Sequence, residues 1–178
     1  EAITGAGGKA IVVSAGGRLE VALSAAGGKL IKMNAASKNP LTIRKNAKTL
    51  TKIVGEYSVD LIHARSRAPA WSAHMAAEHT SPPFVTTYHG AYSGVTGLKR
   101  RYNSVMAKGD LVIANSEWTA AHVMAVHGTP RDKIITIPRG VDFAEFNPEA
   151  VALSRIDALR QKWSITKADD RLVLLLPG

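Results

Sequence analysis

A doubly wound parallel α/β sheet is the fold class that this sequence predicts, and three observations predict it. Short apolar, β-branched runs alternate with helical stretches, capping residues mark helix starts and stops, and no apolar run approaches the ~18 residues of a membrane span. Ala10–Ser14, Lys29–Met33, Asp60–Ala64, Phe84–Tyr88, Asp110–Ala114 and Lys133–Ile137 read as strands. Helical stretches fall near Arg18–Ala26, Pro40–Glu56, Ala68–His79, Leu98–Lys108 and Glu117–His127. At 178 residues and 46% hydrophobic content the chain can fill one core, so a single main domain is expected.

The opening residues Glu1 to Gly8 read as the tail of a helix and its glycine-rich exit, with no strand before it. A doubly wound sheet begins with a centrally placed strand. The first strand is therefore expected to be lacking, with a gap between Ala10–Ser14 and Asp60–Ala64. Asn39-Pro40 supplies an N-cap followed by proline in the first turn. The helix it opens carries Arg44, Lys45, Lys48 and Lys52 on one side and Ile43, Ala47, Leu50 and Val54 on the other. Ser116 caps the helix Glu117–His127, and Gly128 follows its end. Ile134-Ile135-Thr136-Ile137 has the charge-free, β-branched character of a buried parallel strand, which Pro138 stops. After it, Gly140 is expected to supply a positive φ, Asp142 to accept backbone N–H groups, and Phe146 to pin the loop to the core. Residue types alone also fit a plain strand-end turn with a hydrophobic anchor. Arg171–Leu176 reads as a further strand suited to burial on both faces.

Composition narrows the chemistry. Cysteine is absent, which excludes a disulfide framework and thiolate metal sites. The balance of 23 Lys+Arg against 14 Asp+Glu gives a net charge of +9, so a negative partner is expected: a nucleotide diphosphate, a phosphorylated lipid, an anionic membrane surface or nucleic acid. Charge does not choose among these.

Several motifs fail on spacing. Gly5-Ala6-Gly7-Gly8-Lys9 precedes a strand where a phosphate loop follows one, and Ala10 stands where Ser or Thr would bind magnesium. Gly16-Gly17 could meet an anion with its N–H groups or simply turn the chain. His74/His79 and His122/His127 are five apart and fall on different helix faces, so neither is a helical zinc pair. Gly90 to Gly94 misses the spacing of a serine nucleophile elbow, and there is no Asp-x-Asp pair. No metal site is expected.

In open α/β sheets ligands bind beyond the carboxyl ends of the strands. Those ends carry Arg65-Ser66, His89-Gly90, Asn115-Ser116 and Arg139-Gly140, a polar and cationic edge. His89 follows an apolar strand and precedes a glycine that lets backbone approach a ligand closely. On residue type alone it reads equally as a structural or surface histidine.

The pattern Pro-x-Gly-Val-Asp-x-x-x-Phe-x-Pro over residues 138–148 resembles the end of the N-terminal domain in family 4 glycosyltransferases of the two-domain GT-B architecture. Asp60 to Ser66, Phe84 to Gly90, Asp110 to Ser116 and Leu172 to Gly178 stand in that family's order, so the resemblance covers nearly the whole chain. The runs His63 to Ser72 and Lys99 to Asn103 are most similar to the branch that builds lipopolysaccharide cores. The resemblance implies a Rossmann-like acceptor-side domain over residues 1–170, truncated at its start, and the first strand of a C-terminal donor-binding domain over 171–178. It implies a hexosyltransferase parent that moves a sugar from a nucleotide-sugar donor to a cell-envelope glycan or glycolipid acceptor with retention, by front-face attack through an oxocarbenium-like state. His89 would be the catalytic residue, hydrogen-bonding the sugar near the reacting centre. Arg65, Ser66, Gly90, Lys99, Arg100 and Arg101 would bind substrate, with Arg67 grouped among the cations that could meet a phosphorylated acceptor, and Asn115, Ser116, Arg139 and Gly140 would line the cleft. Arg139 stands where asparagine is more usual in the family, so no detailed role is carried over to it. The resemblance further implies no cofactor or metal, no nucleic acid partner, and a cytoplasmic protein with a peripheral contact at the anionic inner face of the membrane. Most groups that stabilise the leaving diphosphate lie in the family's C-terminal domain, so the segment alone is expected to be inactive. The competing reading is a stand-alone module that binds nucleotides or anionic ligands without catalysis.

Overall fold

The computed structural model describes residues 11–14, 29–93, 96–144, 146–166 and 174. The expected helix Arg18–Ala26, the loops around Gly5–Lys9 and Gly16-Gly17, and all of Arg171–Leu176 except Leu174 lie outside the described residues. The chain forms two compact units, Glu1–Pro138 and Arg139–Gly178.

In the first unit, β1 (Ile11–Ser14) pairs in parallel with β2 (Lys29–Lys32), Ile11 opposite Lys29. β3 (Ile62–Ala64), β4 (Phe84–Tyr88), β5 (Leu111–Ala114) and β6 (Ile134–Thr136) form a second, four-stranded parallel sheet in chain order. No ladder among the described residues joins β1–β2 to β3. Helix α1 (Pro40–Tyr57) leads into β3, α2 (Arg67–Ala77) connects β3 to β4, and α4 (Glu117–His127) connects β5 to β6. Between β4 and β5 the predicted single helix is a short α3 (Gly97–Asn103) that tightens into a 3-10 turn over Ser104–Ala107.

Local chemistry sets the helix ends. The Asn39 side chain accepts the Leu41 N–H with Pro40 in the first turn, and Ser116 accepts the Thr119 N–H. Gly128 ends α4 at φ 69°, in the left-handed region that glycine enters without a Cβ penalty. The basic residues Arg44, Lys45, Lys48 and Lys52 of α1 are exposed, whereas Ala47 and Ile53 are buried. Helix α2 buries Ala68, Ala70, Ala73 and Ala76, small residues that permit close packing, and its Ser72 hydroxyl donates to the Ile43 carbonyl of α1 at 3.1 Å.

The core is centred on β4 and β5, where Phe84, Tyr88, Val112 and Ala114 pack with Val105, Met106, Ala120 and Val123. Thr86 is fully buried on β4 and donates to the Met106 carbonyl at 2.7 Å, as a hydroxyl shut away from water requires. Gly109 is fixed by space. A Cβ there would lie 2.6 Å from the Leu111 carbonyl oxygen and 3.1 Å from both the Phe84 carbonyl oxygen and Thr86 Oγ1.

Three expectations around the last strand are corrected. Ile134 is buried, yet Ile135 and Ile137 are 43% and 49% exposed, because among the described residues β6 is the outer strand of its sheet and pairs only with β5. Gly140 is not among the described glycines of positive φ, which are Gly90, Gly97 and Gly128. Phe146 is 66% exposed and anchors nothing in the core. Asp142 does take its turn role, accepting the Ala144 N–H at 2.9 Å. The second unit also contains a helix that the sequence reading omits, α5 (Leu153–Lys162), preceded by an Asn147-capped 3-10 turn over Pro148–Ala150.

Gly109→Ala is expected to destabilise the chain by about 1–3 kcal/mol, because the new methyl meets two backbone carbonyls that cannot move independently of the sheet. Urea unfolding checks this, and an unchanged midpoint would show that the chain relaxes around the methyl.

Candidate functional site

Parallel register brings the carboxyl ends of β3 to β6 to one edge. Arg65 and Ser66 leave β3 exposed to solvent, and Ser66 opens α2 in extended conformation with no side-chain capping bond. His89 and Gly90 leave β4 half-buried. Gly90 adopts φ 155°, which side-chain-bearing residues rarely do, and open space lies where its Cβ would be. Asn115 and Ser116 leave β5 half-buried.

These groups divide by what they touch. Asn115 spends both ends of its amide: Nδ2 donates to the His89 carbonyl at 2.8 Å, and Oδ1 accepts from the Thr119 hydroxyl at 2.7 Å. Ser116 caps α4. The two cleft candidates of β5 thus hold the His89 loop and start a helix. Arg65 stays exposed, as do Lys99, Arg100 and Arg101 on α3. Arg100 acts electrostatically on His127 at the end of α4. Arg139 and Gly140 are exposed and belong to the second unit.

Sequence reasoning assigned no role to His63 or Tyr92, and it grouped Arg67 with the acceptor-binding cations. His63 Nε2 lies 2.7 Å from Thr87 Oγ1. Burial, then Arg65, then His89 push its pKa below the ordinary histidine value. Tyr92 packs its ring 4.6 Å from that of buried Tyr88, and the His89 backbone lies near enough to its hydroxyl to oppose the rise that burial imposes on its pKa. The Arg67 guanidinium lies over Tyr92 at 4.6 Å. The signal for these contacts was present in the run His63 to Ser72 and in the tyrosine two residues beyond Gly90, but only the fold brings them together.

Under the loop, burial pushes the Tyr88 hydroxyl up to about 12, with Tyr92 adding to the shift and Arg67 opposing it. It therefore keeps its proton and faces His127 Nε2 at 3.1 Å. His127 is held below its ordinary pKa by burial, Arg100 and His122, and the tautomer of its neutral ring sets which partner donates in this bond. His74, at the opposite end of the sheet against Phe84, is also lowered, chiefly by burial.

No group of His, Asp and Glu among the described residues could hold a metal ion. No described helix is long and apolar enough to cross a membrane.

A parallel α/β sheet with a braced histidine loop at its carboxyl edge is a Rossmann-like architecture, and the comparisons specify which. The model of Glycosyltransferase Family 4 matches residues 2–145. The chain belongs to that family, and its fold is the Rossmann-like N-terminal domain of GT-B enzymes. It is similar to a glycosyltransferase from Rickettsia africae at 37% identity and a TM-score of 0.71, covering 92% of this chain and 43% of that one. HepE from Anabaena, solved in complex with UDP-glucose, matches at 20% identity and a TM-score of 0.61, over 86% of this chain and 42% of its own. A UDP-N-acetylglucosamine 2-epimerase from Rickettsia bellii matches at 14% and 0.56, over 88% and 44%. The last two carry the fold alone. The chain spans less than half the length of each of these structures. No curated protein matches it.

His63, His74 and His127 bind protons less readily in the folded chain than at the ordinary value of 6.5. Below that value the unfolded chain takes up protons first, so stability is lost as pH falls through the depressed folded values. The melting temperature is expected to drop between about pH 7.5 and about pH 5.5, and His127→Gln to flatten the slope. A melting temperature that rises on acidification in this window would contradict the assignment.

Proposed function

We propose that the protein carrying this chain transfers a sugar from a nucleotide-sugar donor to a hydroxyl of a cell-envelope glycan or lipopolysaccharide-core acceptor, with retention of anomeric configuration. The observation that carries this reading is His89, half-buried at the carboxyl edge of a family 4 domain with its carbonyl held by Asn115. The UDP-glucose complex of HepE supports a uridine diphosphate sugar as donor. The acceptor class rests on the runs His63 to Ser72 and Lys99 to Asn103.

In the transfer, the bond between the anomeric carbon and the diphosphate oxygen breaks. The acceptor hydroxyl forms the new C–O bond on the same face, and its proton leaves with the diphosphate. His89 hydrogen-bonds the donor sugar beside the reacting carbon and forms no covalent bond. A group held in place before the reaction stabilises developing charge without reorganising, which is the value of the brace. Ser66 and Gly90 belong to the substrate-contacting edge, and Arg65, Lys99, Arg100 and Arg101 supply charge to an anionic acceptor. The same charge suits peripheral contact with an anionic cytoplasmic membrane face. The scheme uses no resident cofactor.

In the full-length protein, His89→Ala is expected to lower kcat by about 100-fold or more while the melting temperature moves little. Equal losses of turnover and stability would assign His89 a structural role. The product's anomeric proton coupling reports the stereochemistry, and an inverted product overturns retention.

Charge reversal of Arg65, Lys99 and Arg101 should weaken acceptor binding, with an effect that shrinks at high salt. Acceptor affinity indifferent to both would leave these residues as a solvated face.

A further inference from the structure

We infer that Arg67 is a positioning residue that fixes the loop carrying His89, through Tyr92 and Asn103. Arg67 is the first residue of α2, two positions beyond the exposed Arg65, and it is half-buried. Its Nη1 donates to Asn103 Oδ1 at 2.9 Å, and its Cζ lies 4.6 Å from the ring centroid of Tyr92 and 5.9 Å from that of Tyr102. Each partner then holds the loop at a different place. Asn103, only 3% exposed, passes its Nδ2 hydrogen to the Ser93 carbonyl at 3.1 Å. The Tyr92 hydroxyl lies near the His89 backbone, and its ring packs 4.6 Å from that of Tyr88 at an interplanar angle of 46°.

The geometry separates this role from phosphate binding. A guanidinium that recognises a phosphate must present its planar fork to the ligand. Here the guanidinium carbon sits over aromatic rings and one N–H is committed to a buried amide, an arrangement that orders protein rather than ligand. Trp71 stands four residues on, on the same face of α2, and its Nε1 donates to the Tyr102 carbonyl at 3.1 Å. One face of α2 therefore grips the end of α3 at two adjacent residues. The runs His63 to Ser72 and Lys99 to Asn103 meet at this contact, so a change in one is felt by the other and by the loop between β4 and α3.

The consequence for turnover rests on the sugar-transfer reading, whereas the ordering of the loop does not. Arg67→Met keeps the aliphatic stem and removes the charge and the donors. Amide hydrogen exchange in this variant is expected to speed up about tenfold or more at Gly90 to Ser93 while Val112 and Ala114 in β5 stay protected. Tyr92→Phe keeps the ring under Arg67 and removes only the hydroxyl that meets His89, so it should leave the fold intact and shift the His89 imidazole carbon-13 resonances. Arg67→Lys, with a cation but no planar fork, should restore exchange only in part. In the full-length protein, transfer from UDP-glucose should lose kcat about tenfold in Arg67→Met with the donor KM nearly unchanged.

Unchanged exchange at Gly90 to Ser93 in Arg67→Met, or unchanged His89 resonances in Tyr92→Phe, would overturn the inference. A raised KM with unchanged kcat would also overturn it and make Arg67 a ligand contact. Faster loop exchange in a protein that turns over no nucleotide sugar would support the positioning role and count against the transferase reading.

Discussion

The structure depends on one constraint, the burial of β4. Phe84, Val85, Thr86 and Tyr88 are all shut away from solvent, so polar groups on or beside the strand must find partners inside the protein. Thr86 reaches the Met106 carbonyl. At the entry to the strand, Asp110 accepts the Phe84 N–H at 2.8 Å and returns its own backbone N–H to the Phe84 carbonyl at 2.7 Å. At the exit, Asn115 holds the carbonyl of His89. Side chains flanking β5 thus tie β4 at both ends, and the register of the pair cannot slip without leaving buried donors and acceptors unmade.

With the register fixed, the height of His89 above the sheet is fixed as well. The residues at this edge then sort into two kinds. Asn115, Ser116, Arg67 and Tyr92 are engaged with protein and form the support, while Arg65, Ser66, Lys99 and Arg101 are exposed and available to a ligand. Binding sites are built this way because a reacting or recognising group held by a second layer loses little entropy when the ligand arrives. Exposed cations at the rim add attraction at a distance, while the lowered pKa of His63 keeps its ring from adding charge beside Arg65.

Local signals were legible in the sequence. The caps at Asn39, Ser116 and Gly128 and the apolar runs of β3 to β6 depend on a few neighbouring residues, and each appears where the residue chemistry puts it. What was illegible depended on distant packing. Ile134 to Ile137 has the composition of a central strand, but exposure of Ile135 and Ile137 follows from a place at the sheet's border, which composition does not encode. Phe146 reads as an anchor because phenylalanine is usually buried, and the second unit leaves it in solvent. Helix α5 has the apolar spacing Leu153, Ile156, Leu159, yet Leu153 and Leu159 are 77% and 43% exposed, so no strong stripe announced it. The places of Arg65 and His89 at the carboxyl edge could be read from their positions after a strand. The contact of Arg67 with Tyr92 and Asn103 spans 25 and 36 residues and could not.

Concavity alone would have pointed elsewhere. An open groove of about 680 Å³ lies at the amino-end edge of the sheet, among Ser58, Val59 and Asp60 before β3 and Ser81, Pro82 and Pro83 before β4. It is shaped by the loops that return from α1 and α2, and a parallel sheet always gathers such loops at its amino end. Its lining offers the Asp60 carboxylate and the His79 imidazole but no lysine or arginine, so a diphosphate would find no permanent cation there. At the carboxyl edge the exposed Arg65 supplies such a cation. In open α/β sheets ligands bind beyond the carboxyl ends of the strands, so strand direction is the physical ground for proposing that edge here over a deeper hollow at the amino end.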